Sequence, residues 1–420
     1  MHSNPDKERK KDNLRELVKT LLDKRDLDTL MSFTYADMQE LFCSILFMRA
    51  RATDAIDNMY YDFLYSYQIN RGAPFFRLAG SVMYEQAFRL SQYGTLEALE
   101  KQVKCYLASV NAFSLCDPKF TWVIKPFDVE IEEEVIELPR EAGSDAEPEV
   151  IKLKKQLEVI DLVAIKKELA LAIARLKLAK FDKKFITNFM TSPIELIMYL
   201  ACAGIYKCAL SLCTTFDVPY EPVFEIFTQQ CLHTTTRDEA ITWNWLVEND
   251  LHDLPIIGNS AIDVAWQLLQ TLLFQYEEEH MTVLHRVVVE KMLNLGAFIP
   301  YWLSSSYKKR NASELLRLYY YNGYLNEAAQ LACENILAVL NYGGEYFGYE
   351  KPLLPEVSPF CLPVNVIDSL LEELDVQNQY DVNRPLEKEY KQLKELFLKY
   401  IETSARISNE VCRTKMSGIY

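Results

Sequence analysis

The side chains that most often carry chemistry are few in this sequence, and their spacing does not suit a metal site. The chain has five histidines. His280 and His285 are five residues apart, so on a helix they point to different sides and cannot share one ion. His233 follows Cys231 by two residues, but no second pair completes the tetrahedral set that zinc requires. We therefore predict no metal site and no cofactor.

Motifs for nucleophilic catalysis and for phosphate binding do not occur either. The sequence has no GxSxG, P-loop, GxGxxG or HExxH pattern. The chain has 60 aspartates and glutamates, so two carboxylates that lie close together in the sequence do not identify a catalytic pair. We therefore predict a protein that is not an enzyme, with no catalytic residues and no small-molecule substrate. A helical enzyme with an unrecognised site is the alternative, and a deep polar pocket with convergent ionisable groups would favour it.

The composition favours helices and disfavours nucleic-acid binding. The chain has only 12 glycines, where a usage of about 7% gives about 29. Sandwiches, barrels and glycine-rich nucleotide folds need glycine at turns and bulges, so they are disfavoured. A net charge of −15 lacks the basic footprint that direct nucleic-acid binding requires. The most apolar run, Leu196–Tyr206, is too short to cross a bilayer, so no transmembrane segment is predicted.

Apolar residues recur with the period of an α-helix along most of the chain. The pattern predicts helices at Met38–Arg49, Ala52–Gln68, Phe75–Gln92 and Thr95–Leu115, and a long helix from Ile151 to about Phe181. Later helix-start signals are Ser192-Pro193, Asn259-Ser260 and Asn311–Glu314. The β-prone run Phe120–Ile124 predicts at most one minor strand.

Two parts of the chain repeat one pattern around a glycine. Tyr199, Gly204, Tyr206, Ala209 and Leu212 have the same spacing as Leu318, Gly323, Leu325, Ala328 and Leu331. In an α-hairpin the glycine ends one helix in the left-handed conformation, and the alanine lets the next helix cross closely. The two glycines are 119 residues apart, which is not a multiple of the tetratricopeptide period of about 34 residues. We therefore predict an all-α fold, an irregular α-helical solenoid of antiparallel helix pairs.

One stretch departs from the helical pattern. From Asp128 to Glu149 there are ten acidic residues and one basic residue, together with Pro139 and Pro148. Such a stretch is typical of a solvated, disordered loop, and an acidic docking segment for a basic partner is the alternative. The predicted organisation is an N-terminal helical segment (1–127), an acidic linker (128–150), a central solenoid (151–341) and a C-terminal loop with terminal helices (342–420).

The last predicted helix carries a narrow apolar stripe. Asn383 can cap this helix, and Pro385 suits its first turn. The residues predicted to bind are Tyr390, Leu393, Phe397 and Tyr400, while Leu386 and Ile407 lie at the two ends of this stripe. Its period of about 3.5 residues suits packing along another helix. We predict that these four residues bind a partner subunit, because the last helix of an array has only one neighbour. Packing within the chain, against the helix around Val364–Leu374, is the alternative.

Several short motifs, taken in their order along the chain, resemble one family. In the first half they are Arg49–Asp54, Tyr60–Tyr65, Leu99–Gln102 and Cys105–Ala108. In the second half they are Ala265–Leu269, Trp302-Leu303, Ser306–Lys309, Glu314–Tyr319 and Tyr346–Gly348. This collinear set resembles the helical region of the large scaffold nucleoporins of the Y complex. Members of that family carry a large N-terminal β-propeller, so we expect a fragment or a truncated gene product here.

The resemblance implies a structural function in the coat of the nuclear pore. It implies contacts with other Y-complex nucleoporins through helical surfaces, with the C-terminal end docking at the hub of the complex. The implied location is the nuclear pore complex in the nuclear envelope of the nucleus, where mRNA export and protein transport would depend on the chain indirectly. The alternative is a cytoplasmic helical-repeat adaptor or a vesicle-coat subunit, because such a protein would have a similar amino-acid composition.

We expect the acidic linker to contribute little to folding. Its net charge of −9 causes self-repulsion and gives it little reason to pack. Replacement of residues 128–149 by a short Gly/Ser linker should shift the melting temperature by no more than about 2 °C in calorimetry. A large loss of stability would mean that the segment packs in the native state.

Overall fold

The computed structural model describes residues 7–24, 26–35, 38–56, 58–126, 158–187, 192–253, 260–349, 362–380 and 386–417. The predicted acidic linker lies outside these residues, as do the predicted cap Asn383 and Pro385. Within the described residues the chain forms seventeen α-helices and one short two-stranded hairpin, which confirms the predicted all-α class. The chain separates into two compact units, Met1–Leu196 and Ile197–Tyr420. The boundaries predicted at residues 128, 151 and 342 stay a prediction.

The helices and strands are short and follow one another closely along the chain. The first unit contains α1 (Lys7–Asp23), α2 (Leu27–Ser32), α3 (Gln39–Ala52), α4 (Met59–Arg71), α5 (Phe76–Leu90), α6 (Leu96–Ser114), β1 (Trp122–Ile124), β2 (Val159–Asp161) and α7 (Leu162–Phe181). After these come α8 (Pro193–Ala203), α9 (Tyr206–Phe216), α10 (Glu221–His233), α11 (Glu239–Val247), α12 (Ala261–Tyr276), α13 (Val283–Asn294), α14 (Tyr301–Tyr321), α15 (Leu325–Val339), α16 (Val364–Tyr380) and α17 (Glu387–Ser417).

Helix starts follow the local signals in the sequence. At α8 the backbone N–H of Ser192 donates to the Glu195 carboxylate (3.1 Å), and the N–H of Glu195 donates to the Ser192 hydroxyl (3.2 Å). This reciprocal capping box satisfies two backbone donors that a helix leaves free. The side chain of Asn58 likewise caps α4, so the helix predicted from Ala52 begins seven residues later, at Met59.

Aromatic stacking organises the core of the first unit. The ring of Phe42 on α3 stacks on Tyr35 at 3.9 Å, and the edge of Tyr67 on α4 meets Phe42 at 4.8 Å. The Tyr35 hydroxyl donates to the carbonyl of Leu30 (2.7 Å), so the buried phenol is satisfied. Further along, α6 packs against both α5 and α7, and the ring of Phe113 lies against the backbone of Gly80.

The predicted long helix from Ile151 is wrong at Val159–Asp161, and its first residues, 151–157, lie outside the described part of the chain. Residues Val159–Asp161 form β2, which pairs antiparallel with β1 so that Val123 faces Ile160. The helix α7 begins only at Leu162, where the Asp161 side chain accepts the N–H of Ala164 (2.8 Å). Ile160 fits a helical stripe and a strand equally well, and only its pairing with β1 decides between them. The minor strand predicted within Phe120–Ile124 is confirmed as β1.

The glycine-centred repeat forms two α-hairpins in the second unit, as predicted. Gly204 (φ 83°) joins α8 to α9, and Gly323 (φ 78°) joins α14 to α15. At both turns the N–H after the glycine donates to a carbonyl five residues earlier, to Leu200 (2.9 Å) and to Tyr319 (2.9 Å). This bond pattern is the Schellman motif, which needs a left-handed residue. The paired alanines, Ala209 and Ala328, are fully buried.

Within α14 the predicted start signal appears as a kink. Asn311 has non-helical dihedral angles (φ −156°, ψ 80°) although the helix continues on both sides. Its side chain accepts the N–H of Glu314 (3.0 Å), which is the bond of an N-cap. The sequence signal therefore correctly located a cap, and the cap lies inside a bent helix that begins at Tyr301.

The two hairpin glycines should differ in their tolerance of alanine. A Cβ at Gly204 would lie 2.7 Å from Cβ of Trp245, whereas a Cβ at Gly323 would meet nothing within 4 Å. Both substitutions strain a positive φ, by about 1 kcal/mol. Gly204→Ala should lose about 1–3 kcal/mol more through overpacking. Urea unfolding of both variants measures the difference, and equal losses would mean that Trp245 moves away freely.

Candidate functional site

The predicted stripe on α17 packs within the chain. The helix lies against α15 and α16. Leu393, Phe397 and Tyr400 are buried, whereas Tyr390 is half-buried and its hydroxyl accepts a hydrogen bond from Lys394 (3.1 Å). The intramolecular packing considered as an alternative therefore exists, and it involves α15 as well as the helix around Val364–Leu374. The partner-binding role predicted for the four residues stays a prediction.

A second apolar line runs beside the buried stripe on the solvent side of α17. With about 100° of rotation per residue, Tyr390, Leu398 and Ile401 lie within roughly 80° of arc. Leu398 is 53% exposed and Ile401 is 46% exposed. This set, Tyr390, Leu398 and Ile401, is called the outer face of α17 below. An apolar line of this kind on a helix is typical of contact with another helix.

The second half of α17 extends beyond its packed part. From Ile401 to Arg413 no described side chain is buried. The helix nevertheless continues to Ser417, which adds about 25 Å at 1.5 Å per residue. Helices of this length gain most of their stability from packing an apolar face and are marginal alone. The second half of α17 is therefore the part of this helix that gains most from a partner.

The tyrosine clusters divide between core and surface. In the first cluster Tyr61 and Tyr67 are buried, while Tyr60 and Tyr65 are half-buried. In the second cluster Tyr319 is buried, Tyr321 is exposed, and the Tyr324 hydroxyl donates to the carbonyl of Leu293 (3.0 Å). Consecutive residues on a helix point to different sides, so both the packing and the surface interpretations of these clusters apply to different members.

A buried cluster that the sequence did not reveal joins three helices. The Glu277 carboxylate contacts Nδ1 of His285, and it accepts the backbone N–H groups of Leu284 (2.7 Å) and His285 (3.2 Å). Nε2 of His285 lies 2.9 Å from the hydroxyl of Ser306 on α14. Carboxylate, imidazole and hydroxyl in this order are the constellation that activates a serine nucleophile.

The surroundings of this cluster fit a structural role. The imidazole of His285 is entirely buried, between the rings of Phe274 on α12 and Tyr307 on α14. Glu277 uses both carboxylate oxygens to satisfy N–H groups at the start of α13. These bonds connect the end of α12 to α13 and α14, and they compensate the burial of two ionisable groups.

The first unit contains a cavity of about 600 Å³ between α3, α4, α5 and β1. Its walls include the apolar side chains of Phe47, Leu64 and Val82. The buried carboxylate at this cavity, Glu85, is bonded by two guanidinium nitrogens of Arg51 (2.7 Å each) and by the Tyr61 hydroxyl (3.0 Å). Burial raises the pKa of Tyr61 to about 12, so the phenol stays a neutral donor. Glu85 is thus satisfied within the protein.

Two further features of the described residues concern ions and membranes. No group of three or more histidine, cysteine, aspartate or glutamate side chains is placed to hold a metal ion there. In the same part of the chain, none of the helices combines the length and apolarity needed to cross a bilayer.

The fold defines a class, the α-helical solenoid proteins. Two family models match the chain: the Nup160 C-terminal TPR over residues 161–417 and the NUP160/120 middle TPR over residues 1–115. The chain therefore belongs to the Nup160 family.

Curated relatives are similar over most of the chain. The identity is 36% over 411 residues to the nuclear pore complex protein Nup160 homolog of Drosophila melanogaster, covering 97% of this chain and 29% of that protein. The identity is 37% over 376 residues to the human nuclear pore complex protein Nup160, covering 88% of this chain and 26% of that protein. It is 24% over 426 residues to the NUP160 of Arabidopsis thaliana, covering 89% and 27%. The chain thus spans less than a third of the length of these relatives.

Substitutions at two neighbouring residues of α17 should differ in their effect on stability, because one side chain is packed and the other is exposed. Phe397 is 8% exposed, and Leu398 is 53% exposed. Phe397→Ala should lower the free energy of unfolding by about 3 kcal/mol, because it leaves a cavity beneath α17. Leu398→Ala should change it by less than about 0.5 kcal/mol. Chemical denaturation followed by circular dichroism measures both values. Equal losses would mean that the outer face also packs within the chain.

Proposed function

We propose that this chain is a structural part of the nuclear pore coat, the Y complex. It binds other nucleoporins of that complex through helical surfaces and so supports mRNA export and protein transport at the nuclear envelope. It acts as a scaffold and not as an enzyme. The observation that carries the proposal is the match of Nup160 family models to both helical regions of the chain.

The proposed contact between subunits includes the second half of α17. The outer face offers Leu398 and Ile401 for burial, and the backbone beyond Tyr400 is already helical. A partner helix laid along this surface buries apolar area, which contributes about 25 cal/mol per Å². Tyr390 extends the same surface toward the start of α17. The buried residues of the stripe, Leu393, Phe397 and Tyr400, then support this surface from behind and take part in binding indirectly.

The proposal predicts which change abolishes assembly. The double variant Leu398→Asp/Ile401→Asp places two charges on the outer face, where they oppose burial in an interface. A tagged chain with these changes should lose Y-complex nucleoporins by at least about tenfold in quantitative mass spectrometry of purified complexes, while its melting temperature stays unchanged. A fluorescent fusion of the natural chain should concentrate at the nuclear rim.

The matched control is Leu295→Asp, which also adds a charge at an exposed leucine outside α17. It should retain the nucleoporins. Co-purification of vesicle-coat or adaptor subunits in place of nucleoporins would overturn the function. Equal retention by the α17 variant and the control would leave the pore function in place and move the contact away from α17.

A further inference from the structure

A groove runs along one side of α15 in the second unit. It consists of two adjoining pockets of about 330 and 230 Å³, which share Glu334 and Leu337 of α15. The first pocket lies between α14 and the loop that follows α15. The second lies between α15 and the beginning of α17, where Glu389 forms part of its wall. We call this surface the α15 groove.

One end of the α15 groove is aromatic. Tyr301, Tyr342 and Tyr346 line the first pocket and are 78%, 64% and 59% exposed. The loop that carries the last two is held firmly, because the Tyr349 hydroxyl donates to the side-chain oxygen of Asn335 on α15 (2.8 Å). Exposed tyrosines on a fixed backbone lose little conformational freedom when they bind, which is why tyrosine is common at binding hot spots.

The aromatic end already attracts cations from the chain itself. The ammonium group of Lys399 lies 5.7 Å from the centre of the Tyr342 ring, and that of Lys308 lies 5.9 Å from the centre of the Phe347 ring. These distances fall within the range of cation–π attraction. Among the described residues, no cation lies over the ring of Tyr346 in this way.

The other end of the α15 groove contains two carboxylates, Glu334 and Glu389. Glu334 is paired with Lys308 (2.5 Å), but one carboxylate oxygen of Glu389 is buried and has no hydrogen-bond partner within the described structure. Burial raises the pKa of the Cys333 thiol to about 11, and the nearby charges of Glu334 and Glu389 add to this shift. Lys388, also at this pocket, is exposed. An unpaired buried carboxylate oxygen is costly, so a cationic donor at Glu389 is favourable.

We propose that the α15 groove binds an arginine-containing segment of a partner protein. The guanidinium group donates to the Glu389 carboxylate, and a second arginine of the segment stacks on the ring of Tyr346. Arginine suits both ends because its planar group forms bidentate bonds with carboxylates and stacks on aromatic faces. The net charge of −15 on the chain attracts such a basic segment over longer distances.

The proposal rests on the groove alone and not on the outer face of α17. The test therefore uses the purified whole chain and a defined probe, a fluorescein-labelled peptide of six alternating glycine–arginine pairs. Fluorescence anisotropy at 0.15 M salt measures its dissociation constant. The natural chain should bind the arginine peptide at least about fivefold more tightly than the same peptide with lysine, and it should not bind a peptide with glutamate.

Single variants locate the binding. Glu389→Gln should weaken the arginine peptide about tenfold, since it removes the charge-assisted bond. Tyr346→Ala should weaken it about threefold, since it removes the ring. The matched control Glu290→Gln removes the same charge from an exposed position on α13 and should leave the affinity unchanged. The melting temperature of each variant confirms that it is folded.

Three results would overturn the proposal. Equal weakening by Glu389→Gln and Glu290→Gln would mean that the peptide responds only to net charge. Equal affinity for the arginine and lysine peptides would exclude recognition of the guanidinium group. No measurable binding of the arginine peptide by the natural chain would mean that the α15 groove is not a site for arginine. None of these results bears on co-purification with nucleoporins, so the two proposals fail independently.

Discussion

The burial of α15 is the constraint on which the described arrangement of the second unit depends. Ten of its fifteen residues are buried, including four alanines, and α14, α16 and α17 all pack against it. Small side chains allow this close approach from several directions. The turn at Gly323 connects α14 to α15, and the side chain of Asn335 bonds to the loop that follows α15. The buried stripe of α17 packs against α15 from another side. The side chains of α15 that are not buried include Glu334 and Leu337, which line the groove.

The features that sequence analysis located correctly are those that neighbouring residues determine. The hairpins at Gly204 and Gly323 and the cap at Ser192 depend on bonds within about five residues, so their residue types are sufficient signals. The features that it missed depend on residues far apart. Strand β2 exists because Ile160 meets Val123, and the Glu277–His285–Ser306 cluster joins three elements. The sequence pattern showed the stripe on α17. It did not indicate the packing partner α15, because that helix lies some fifty residues earlier in the chain.

The two family matches leave residues 116–160 between them, and this stretch contains the acidic segment together with β1 and most of β2. The hairpin nevertheless fixes both ends of that stretch: the Lys125 N–H donates to the carbonyl of Glu158 (3.0 Å), and the two side chains form an ion pair (2.9 Å). Because the ends are joined, changes in the length of the intervening stretch alter a closed loop and leave the helices on either side in register. Loop closure depends only weakly on length, so such a position tolerates variation.

The helix α17 has a packed half and an exposed half, so its local stability decreases from the first half to the second. Hydrogen exchange of its amides in the free chain should be faster toward the C-terminal end than at Tyr400, because the described side chains beyond Tyr400 are not buried. A partner that covers the exposed half would also suppress the local opening of this part of the helix. Dissociation of such a partner would begin at the C-terminal end of α17 and proceed stepwise toward Tyr400. The buried residues of the stripe would keep their packing throughout.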